Sequence, residues 1–495
     1  MASFPLFERA KQHGSRIALR EGEATFSYDD LIQRAHRVAT ALLGDEKDLK
    51  EKRIGVLVPP GADYAAAQWG VWRAGGVFVP LSLSATPKEI SYAVADAEIG
   101  CLITTDKLAA GLSSSDALRV IDVAEALQTA LGTGSFPDLA PGRRAMMLYT
   151  SGTTSKPKGV VTIHGCIAAQ IESLIEAWQW SAGDRIPLFL PLHHVHGIIN
   201  VLCCALWSGA QVETFSRFDT ESVFPRAATD AYTVFMAVPT IYVKMIEALE
   251  SMGADERTKV VLGFSRMRLM VSGSAALPAG IHRKWEEITG QKLLERYGMT
   301  EIGMALSNPY EGERRPGAVG VPLPGVSVRL KNDEGSVVTS EDEPGEIQVR
   351  GPTVFHEYWK RPETTAESFD DGWFRTGDIA VREKGYYRIM GRSSVDIIKS
   401  GGYKLSALEI ETVLLDHPDI AECAVLGIED PTWGESVAAA VVPAAGRTIA
   451  ENDLRAWCKE RMSPYKVPRV FKFPSSLPRN AMGKTTKPEV KKLFV

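Results

Sequence analysis

Short apolar runs alternate with longer segments of helical periodicity through the first four fifths of the chain. Runs of three to five apolar residues between such segments are typical of strands buried on both faces of a sheet. The strands predicted in this way lie at 54–58, 76–79, 101–103 and 268–271. Because predicted helices separate them, the pattern indicates an α/β fold with parallel sheets.

Two helix starts are marked by local sequence. Ser27 followed by Asp30 predicts a capping box, and so does Ser406 followed by Glu409. The helix after the first box has one apolar face, formed by Leu31, Ala35, Val38 and Leu42. Each box therefore fixes the start of a predicted helix.

The pattern changes after residues 387–392. Beyond them the sequence predicts a helix from the second box, another helix at 454–461, and strands near 423–426, 437–442 and 470–473. About one hundred residues are enough for a small domain with its own core. We therefore predict a large N-terminal domain of layered α/β subdomains at 1–391 and a small α+β C-terminal domain at 392–495.

Composition excludes several functional classes. The 495 residues carry 56 Lys+Arg against 61 Asp+Glu, a net charge of -5 without long basic runs, so neither nucleic acid nor a membrane surface is an expected partner. No apolar run reaches the roughly 20 residues of a membrane span. Six cysteines form no C-x-x-C pair, which favours a reducing compartment. We expect a cytoplasmic protein, or a mitochondrial one if a targeting peptide was removed; the oligomeric state stays open.

The segment 149–159 follows an apolar run and combines glycines, hydroxyls and lysines. Glycines let backbone N–H groups converge on an anion, while hydroxyls and cations add donors and charge. Six residues rather than four separate Gly152 from Gly159, and Val160 follows, so the Walker A pattern does not fit. The segment predicts a polyphosphate-binding loop of another type.

Further motifs follow this loop in a fixed order, at 191–197, 272–278, 295–301, 372–378, 391–392 and 478–484. Together they resemble the signatures of the adenylate-forming (ANL) superfamily of acyl-CoA synthetases, luciferases and peptide-synthetase adenylation domains. Within it, the segments 236–242, 272–278, 298–305 and 315–320 are most similar to malonyl-CoA synthetases. The resemblance covers essentially the whole chain.

The resemblance implies a large N-terminal domain and a small mobile C-terminal domain. It implies ATP-dependent ligation of malonate or methylmalonate to coenzyme A through an acyl-adenylate, giving malonyl-CoA, AMP and diphosphate with Mg²⁺. Two alternatives stay open: a short- or medium-chain monocarboxylate synthetase, and an adenylation enzyme that loads a carrier protein. A non-catalytic nucleotide-binding module is disfavoured because Lys158, Glu301, Asp378 and Lys484 are all present.

The same resemblance assigns nucleotide contacts. Those for the phosphates are Thr150, Ser151, Gly152, Thr153, Thr154, Lys158 and Thr300, and those for the adenine are Gly273, Ser274, Ala275, Glu295, Arg296 and Tyr297. Asp378 accepts the ribose hydroxyls and Arg392 supports the ribose from the hinge. Glu301 binds Mg²⁺, and Lys484 bridges carboxylate and α-phosphate. Taken alone, 297–301 also fits a helix N-terminus with an acidic first turn.

The hinge departs from the superfamily pattern. Residues 391–396 are one residue longer than the usual spacing and lack its lysine, so the hinge residue itself is not fixed by the motif. For coenzyme A, the resemblance implies Lys399, Gly401 and Gly402, where glycines let the backbone approach a narrow pantetheine channel.

The acyl pocket is expected to contain His196 at its mouth, with Ser274 and Met304; His196 joins Lys484, Thr300 and Glu301 as a catalytic candidate. The neighbouring histidines lack further ligands for zinc. A dicarboxylate needs a cation for the carboxylate that does not react. The candidates are Lys244 and Arg283, and for each the alternative is a solvated helix charge.

Overall fold

The structure is a computed structural model that describes residues 5–110, 118–132, 135–150, 157–400, 403–479 and 485–494. Its strands form five sheets, which together confirm the predicted α/β class. Among the described residues, no helix is both long and apolar enough to span a membrane.

The largest sheet has seven strands and includes three of the predicted ones. Its order is Glu357–Tyr358, Lys158–Ile163, Arg144–Thr150, Val77–Pro80, Arg53–Leu57, Cys101–Thr104 and Arg119–Asp122. The last five strands are parallel, and their buried residues explain the continuous apolar runs. Lys158–Ile163 instead pairs antiparallel with Arg144–Thr150, which places Lys158 opposite Thr150.

A second sheet carries the fourth predicted strand. Its order is Val234–Ala237, Leu269–Ser272, Leu294–Met299, Gly303–Ser307 and Val321–Pro322. The first three strands are parallel, and the remaining pairs are antiparallel. The third and fourth strands form a hairpin whose turn contains Thr300 and Glu301. The alternative of a helix N-terminus at 297–301 is therefore wrong, because antiparallel pairing takes up the backbone on both sides of the turn.

Three smaller sheets complete the chain. One has the order Ala24–Ser27, Ile17–Glu21, Gln211–Thr214 and Arg185–Leu188. An antiparallel sheet has the order Ser327–Lys331, Gly345–Arg350, Trp373–Glu383 and Phe369–Asp370, with Tyr386–Arg392 also paired to Trp373–Glu383. The C-terminal sheet has the order Tyr403–Ser406, Ile397–Ser400, Gly434–Pro443 and Ile420–Asp430, with Val470–Lys472 beside Gly434–Pro443.

Helices cover these sheets. In the first part of the chain they are Leu6–His13, Tyr28–Leu43, Ala62–Arg73, Pro87–Asp96, Asp106–Ala109, Val123–Gln128, His164–Trp178, Cys204–Ser208, Thr220–Ala228, Pro239–Ser251, Ala254–Ser265, Ala279–Thr289 and Pro362–Glu367. Toward the C-terminus follow Ala407–Leu415, Glu451–Arg461 and Lys487–Lys491, with 3₁₀ turns at Pro464–Lys466 and Lys492–Phe494. Both predicted helix starts are confirmed: Ser27 and Asp30 form the complete capping box, and Ser406 Oγ accepts from Glu409 N as an N-cap.

One wider helix, His196–Cys203, has π geometry and is buried throughout. Such segments recur at functional sites because the extra residue per turn re-aims side chains. Here the π segment begins at His196, the residue predicted at the mouth of the acyl pocket.

Buried apolar side chains form separate cores. One large cluster extends from Leu6 to Tyr387, and two others lie entirely beyond Ile397. A small cluster of Ile379, Val381, Met390 and Ile397 lies between them. The C-terminal elements thus have cores of their own, as their predicted α+β pattern requires, while the domain boundary between 391 and 392 stays a prediction.

Candidate active site

Asp378 lies where two other predicted nucleotide residues meet. Tyr297 OH donates to its Oδ2 at 2.5 Å, and Arg392 Nε donates to its Oδ1 at 3.1 Å. Burial raises the pKa of this carboxyl, although the charge of Arg392 and the bond from Tyr297 oppose that rise. The structure therefore brings two residues from distant motifs to the Asp378 carboxylate, which can also accept hydrogen bonds from hydroxyl groups.

Glu301 is a buried carboxylate at the tip of the hairpin. Tyr358 OH donates to its Oε1 at 2.9 Å, and Phe355 N donates to its main-chain oxygen at 2.7 Å. Burial raises the pKa of Glu301, with Arg392 and Lys158 among the groups that lower it. Within the described ranges Glu301 forms no ion pair, so the residue suits a cation with few protein ligands, as Mg²⁺ usually is.

Tyr358 was not among the predicted site residues. Its short strand pairs with Lys158–Ile163, and the Lys158 ammonium lies 4.5 Å from the centre of its ring. Tyr358 thereby connects the strand after the phosphate loop with Glu301. No motif marks it, and only the pairing of strands far apart in sequence brings it to the site.

The loop after the strand Leu269–Ser272 contains the residues predicted to contact the adenine. Gly273 is buried, whereas Ser274 and Ala275 are exposed. Ser274 has a φ of 70°, a left-handed conformation that is uncommon outside glycine and that clusters at binding sites. Glu295, on the neighbouring strand, accepts from Gly317 N at 2.8 Å, and burial raises its pKa to about 8.

Ser274 also contacts the predicted acyl pocket. Its hydroxyl lies 3.1 Å from His196 Nδ1 and 3.4 Å from Arg296 Nη2. Burial lowers the pKa of His196 well below its usual value, and the charge of Arg296 adds to this effect, so the imidazole is neutral at pH 7. His196 Nε2 has no hydrogen-bond partner within the described residues.

The surroundings of Arg296 are unusual for an arginine. It is 4% exposed, its Nε is buried without a hydrogen-bond partner, and it forms no ion pair with any described residue. Burial alone lowers its pKa to about 9. Its guanidinium lies over Gly273, where an added Cβ would stand 2.5 Å from Cζ. The predicted adenine contact is thus a buried, unpaired cation beside His196 and Ser274.

The two predicted carboxylate-binding cations lie elsewhere. Lys244 and Arg283 are both exposed. Lys244 lies in a surface cleft with Phe218, Asp219 and Glu247, and helix periodicity turns Tyr242, rather than Lys244, into the core. Their exposure favours the alternative of solvated helix charges, and their assignment to the second carboxylate stays a prediction.

The remaining predicted residues divide into two groups. Met304 is buried, and its Cε lies next to Gly298. Lys399 is exposed on the strand Ile397–Ser400, and its main-chain N–H donates to Glu435 Oε2 at 2.7 Å. Thr150 and Thr300 are half-buried. The other group falls outside the described residues and comprises Ser151, Gly152, Thr153, Thr154, Gly401, Gly402 and Lys484.

The histidines form no metal centre that the structure can support. The ring centroids of His193 and His194 lie 4.2 Å apart. In the described part of the chain, however, no group of three or more His, Cys, Asp or Glu residues could hold a metal ion. The arrangement instead combines the buried carboxylates of Asp378 and Glu301 with the buried guanidinium of Arg296.

Comparison with known proteins places this geometry in context. The profile of AMP-binding enzymes matches residues 6–359, and that of the AMP-binding enzyme C-terminal domain matches 409–484. The malonate–CoA ligase of Arabidopsis thaliana is 39% identical over 98% of this chain and 87% of its own length. The mitochondrial malonate–CoA ligase ACSF3 of Homo sapiens is 41% identical over 98% and 91%.

Solved structures agree in fold. The ATP-bound crystal structure of MatB from Rhodopseudomonas palustris gives a TM-score of 0.89 at 31% identity, covering 100% of this chain and 99% of that one. The structural match therefore includes both the N-terminal and the C-terminal parts of this chain.

Proposed function

The chain belongs to the AMP-binding enzyme family, and from this premise we propose that it joins malonate to coenzyme A through a malonyl-adenylate formed from ATP. The products are malonyl-CoA, AMP and diphosphate. The predicted superfamily resemblance is confirmed, and the chain is an acid–thiol ligase. The choice of malonate agrees with relatives about 40% identical over nearly the whole chain.

One observation carries the choice of acid. Arg296 is buried and has no carboxylate partner among the described residues. An isolated buried charge is strongly unfavourable, and pairing with a carboxylate offsets much of that penalty. Malonate brings a second carboxylate that does not react, whereas propionate brings a methyl group. The unpaired guanidinium therefore favours a dicarboxylate in the pocket.

In the first half-reaction, a carboxylate oxygen of malonate attacks the α-phosphorus of ATP. The new O–P bond forms as the bond to the bridging oxygen breaks and diphosphate leaves. Asp378 accepts the ribose hydroxyls, held in place by Tyr297 and Arg392. Lys484, by its motif position, neutralises charge between the carboxylate and the α-phosphate.

The neutral His196 orients the acid rather than adding charge. With Nδ1 accepting from the Ser274 hydroxyl, its Nε2–H is free to donate to a malonate carboxylate. Arg296 holds the other carboxylate by charge-assisted hydrogen bonds. These two groups fix which end of the substrate faces the phosphate.

In the second half-reaction, the sulfur of coenzyme A attacks the acyl carbon. The C–S bond forms while the C–O bond to AMP breaks, so AMP leaves with its phosphate oxygen, and the thiol proton is released to solvent. Lys399, Gly401 and Gly402 are proposed along the pantetheine channel.

Mg²⁺ fits the residues at the hairpin tip. Glu301 offers one buried carboxylate without an ion-pair partner in the described ranges, and Thr300 and Lys158 are proposed for the phosphates. Bound there, Mg²⁺ would neutralise phosphate charge. Deprotonation of Glu301, whose pKa is raised by burial, is required for this binding.

The test is a panel of acids with the purified protein, ATP, Mg²⁺ and coenzyme A. AMP release and the thioester product are measured for malonate, methylmalonate, propionate and octanoate. We expect kcat/KM for malonate to exceed that for propionate by roughly 10² or more. Equal or better use of propionate or octanoate contradicts the assignment. Adenylate formation without transfer to coenzyme A would instead indicate a carrier protein as acceptor.

Localisation follows as a smaller proposal. We propose the cytoplasm, with the mitochondrion as the alternative that the name of the human relative suggests. Cell fractionation with an antibody to the protein distinguishes the two.

A further inference from the structure

Tyr358 lies between two charged residues of the proposed site and contacts both of them. It is 5% exposed, so its ring and its hydroxyl are largely withdrawn from water. Its OH donates to Glu301 Oε1 at 2.9 Å, and the Nζ of Lys158 lies 4.5 Å from the centre of its ring. One side chain therefore contacts the carboxylate proposed for Mg²⁺ and the ammonium proposed for the phosphates.

The two contacts use different parts of the tyrosine. The face of an aromatic ring is negative and attracts an ammonium group, more strongly where water is excluded. The hydroxyl at the edge of the ring gives a charge-assisted hydrogen bond to an ionised carboxylate. Among the described residues, the structure forms no direct ion pair between Lys158 and Glu301. Because the tyrosine is their shared partner, each residue keeps its charge for a ligand.

The backbone of the segment 355–359 is bonded on both sides of the tyrosine. Trp359 N donates to Gly159 O at 2.8 Å, on the strand that begins with the lysine. Phe355 N donates to Glu301 O at 2.7 Å, in the turn of the hairpin. The segment therefore bridges the strand of the proposed phosphate contact and the turn of the proposed metal ligand.

A second set of contacts holds this segment from outside. Trp359 Nε1 donates to Asp96 O at 3.1 Å, and Arg361 Nη2 donates to Asp96 Oδ1 at 2.7 Å. Arg361 N also donates to Tyr358 O at 3.0 Å. The ring of Phe355 packs edge-on against the tyrosine ring, with 4.7 Å between their centroids. The tyrosine is thus fixed by its neighbours before any ligand binds.

We propose that Tyr358 is a positioning residue for the nucleotide phosphates and their Mg²⁺: its ring holds Lys158 and its hydroxyl holds Glu301, without allowing the two charges to neutralise each other. The inference deepens the proposed function, because it takes Lys158 as a phosphate contact and Glu301 as the Mg²⁺ ligand. Tyr358 acts through these two residues and takes no part in bond making or breaking.

Two substitutions separate the two contacts. Tyr358→Phe removes only the hydroxyl, so the Mg²⁺ concentration for half-maximal adenylate formation should rise roughly tenfold, as is usual when a metal ligand loses its supporting hydrogen bond. ATP affinity without Mg²⁺ should change less than twofold. Tyr358→Leu also removes the ring, so ATP should bind roughly three- to tenfold more weakly even without Mg²⁺. KM for malonate should stay within twofold in both variants.

The binding measurement is isothermal titration calorimetry with ATP in EDTA and with ATP in Mg²⁺. Tyr232→Phe is the matched control, because Tyr232 is 4% exposed and its OH donates to another buried carboxylate, Glu213 Oε2, at 3.0 Å. This control should change neither ATP affinity nor the Mg²⁺ requirement.

Three results overturn the proposal: the same Mg²⁺ requirement in Tyr358→Phe as in Tyr232→Phe, equal ATP affinity without Mg²⁺ in Tyr358→Leu and the wild type, or a change in KM for malonate as large as that for ATP. If Tyr358→Leu does not fold, Tyr358→Phe alone decides, since an unchanged Mg²⁺ requirement in that variant overturns the proposal. If the wild-type protein activates another acid, the malonate assignment fails, and the calorimetry still decides the role of Tyr358.

Discussion

Arg296→Met should raise the thermal stability of the protein and lower its selectivity for malonate, because the wild-type guanidinium is buried without a partner among the described residues. Burial lowers the pKa of Arg296 from the ordinary arginine value to about 9, so keeping the proton in the folded state costs several kcal/mol at about 1.4 kcal/mol per tenfold change in proton affinity. The group is still protonated at pH 7, so the folded protein without substrate bears this penalty in full. A carboxylate that pairs with it should recover about 3–5 kcal/mol.

We therefore expect Arg296→Met to lower kcat/KM for malonate by about 10²–10³-fold, since each 1.4 kcal/mol is about tenfold. Propionate should lose little, because it makes no ion pair there. The variant should also unfold at a higher temperature than the wild type at pH 7, because an apolar side chain removes the buried charge. This gain should begin to shrink at about pH 9, where the folded wild-type group starts to lose its proton, and should fall progressively as pH rises toward the ordinary pKa of arginine, because only the unfolded state still binds the proton in that interval.

The assays are AMP release with each acid and thermal unfolding without ligands. Arg283→Met is the matched control, since Arg283 is exposed and should change neither quantity. An unchanged ratio of malonate to propionate in Arg296→Met would refute the role given to the guanidinium. A lower unfolding temperature would show that Arg296 is already paired in the free protein.

Other substitutions test neighbouring parts of the site. Gly273→Ala should lower selectivity for malonate while the protein stays folded, because the new Cβ would stand 2.5 Å from Arg296 Cζ and only the flexible guanidinium must move. Activity assays measure the selectivity, and circular dichroism measures the folding. The Mg²⁺ concentration for half-maximal rate should fall as pH rises through the raised pKa of Glu301, and Glu301→Gln should abolish that pH dependence. Lys484→Ala should stop adenylate formation but spare thioester formation, and Gly402→Leu should do the reverse by blocking the pantetheine channel, both measured as separate half-reactions.

Much of the fold was predictable because its signals are local. Apolar runs marked the four parallel strands, and the Ser27 and Ser406 caps marked two helix starts, all of which the structure confirms. The turn at Glu301 was less clear, since glycine and acidic residues fit both a helix start and a hairpin. Strand pairing decides between them, and pairing joins residues whose relation no short window shows.

The site could be predicted from the sequence only at residues that belong to recognisable motifs. Asp378, Tyr297 and Arg392 meet as the resemblance implied. Tyr358 was missed because its partner Glu301 lies in the turn of a hairpin that is far away in sequence. For Arg296, the motif named the residue but not its surroundings. Burial without a counter-ion depends on every side chain nearby, and sequence spacing does not give that information.

The strand Leu294–Met299 distributes its side chains between two sides of the sheet. Glu295 contacts Gly317 and Tyr297 contacts Asp378, on the side proposed for the nucleotide, whereas Arg296 between them contacts Ser274 on the side proposed for the acid. If these proposed roles hold, selection for a new acid can act on a single codon without disturbing the neighbouring residues proposed for ATP. A duplicated gene could acquire a different carboxylic acid by one such exchange while its energy-coupling chemistry is inherited intact.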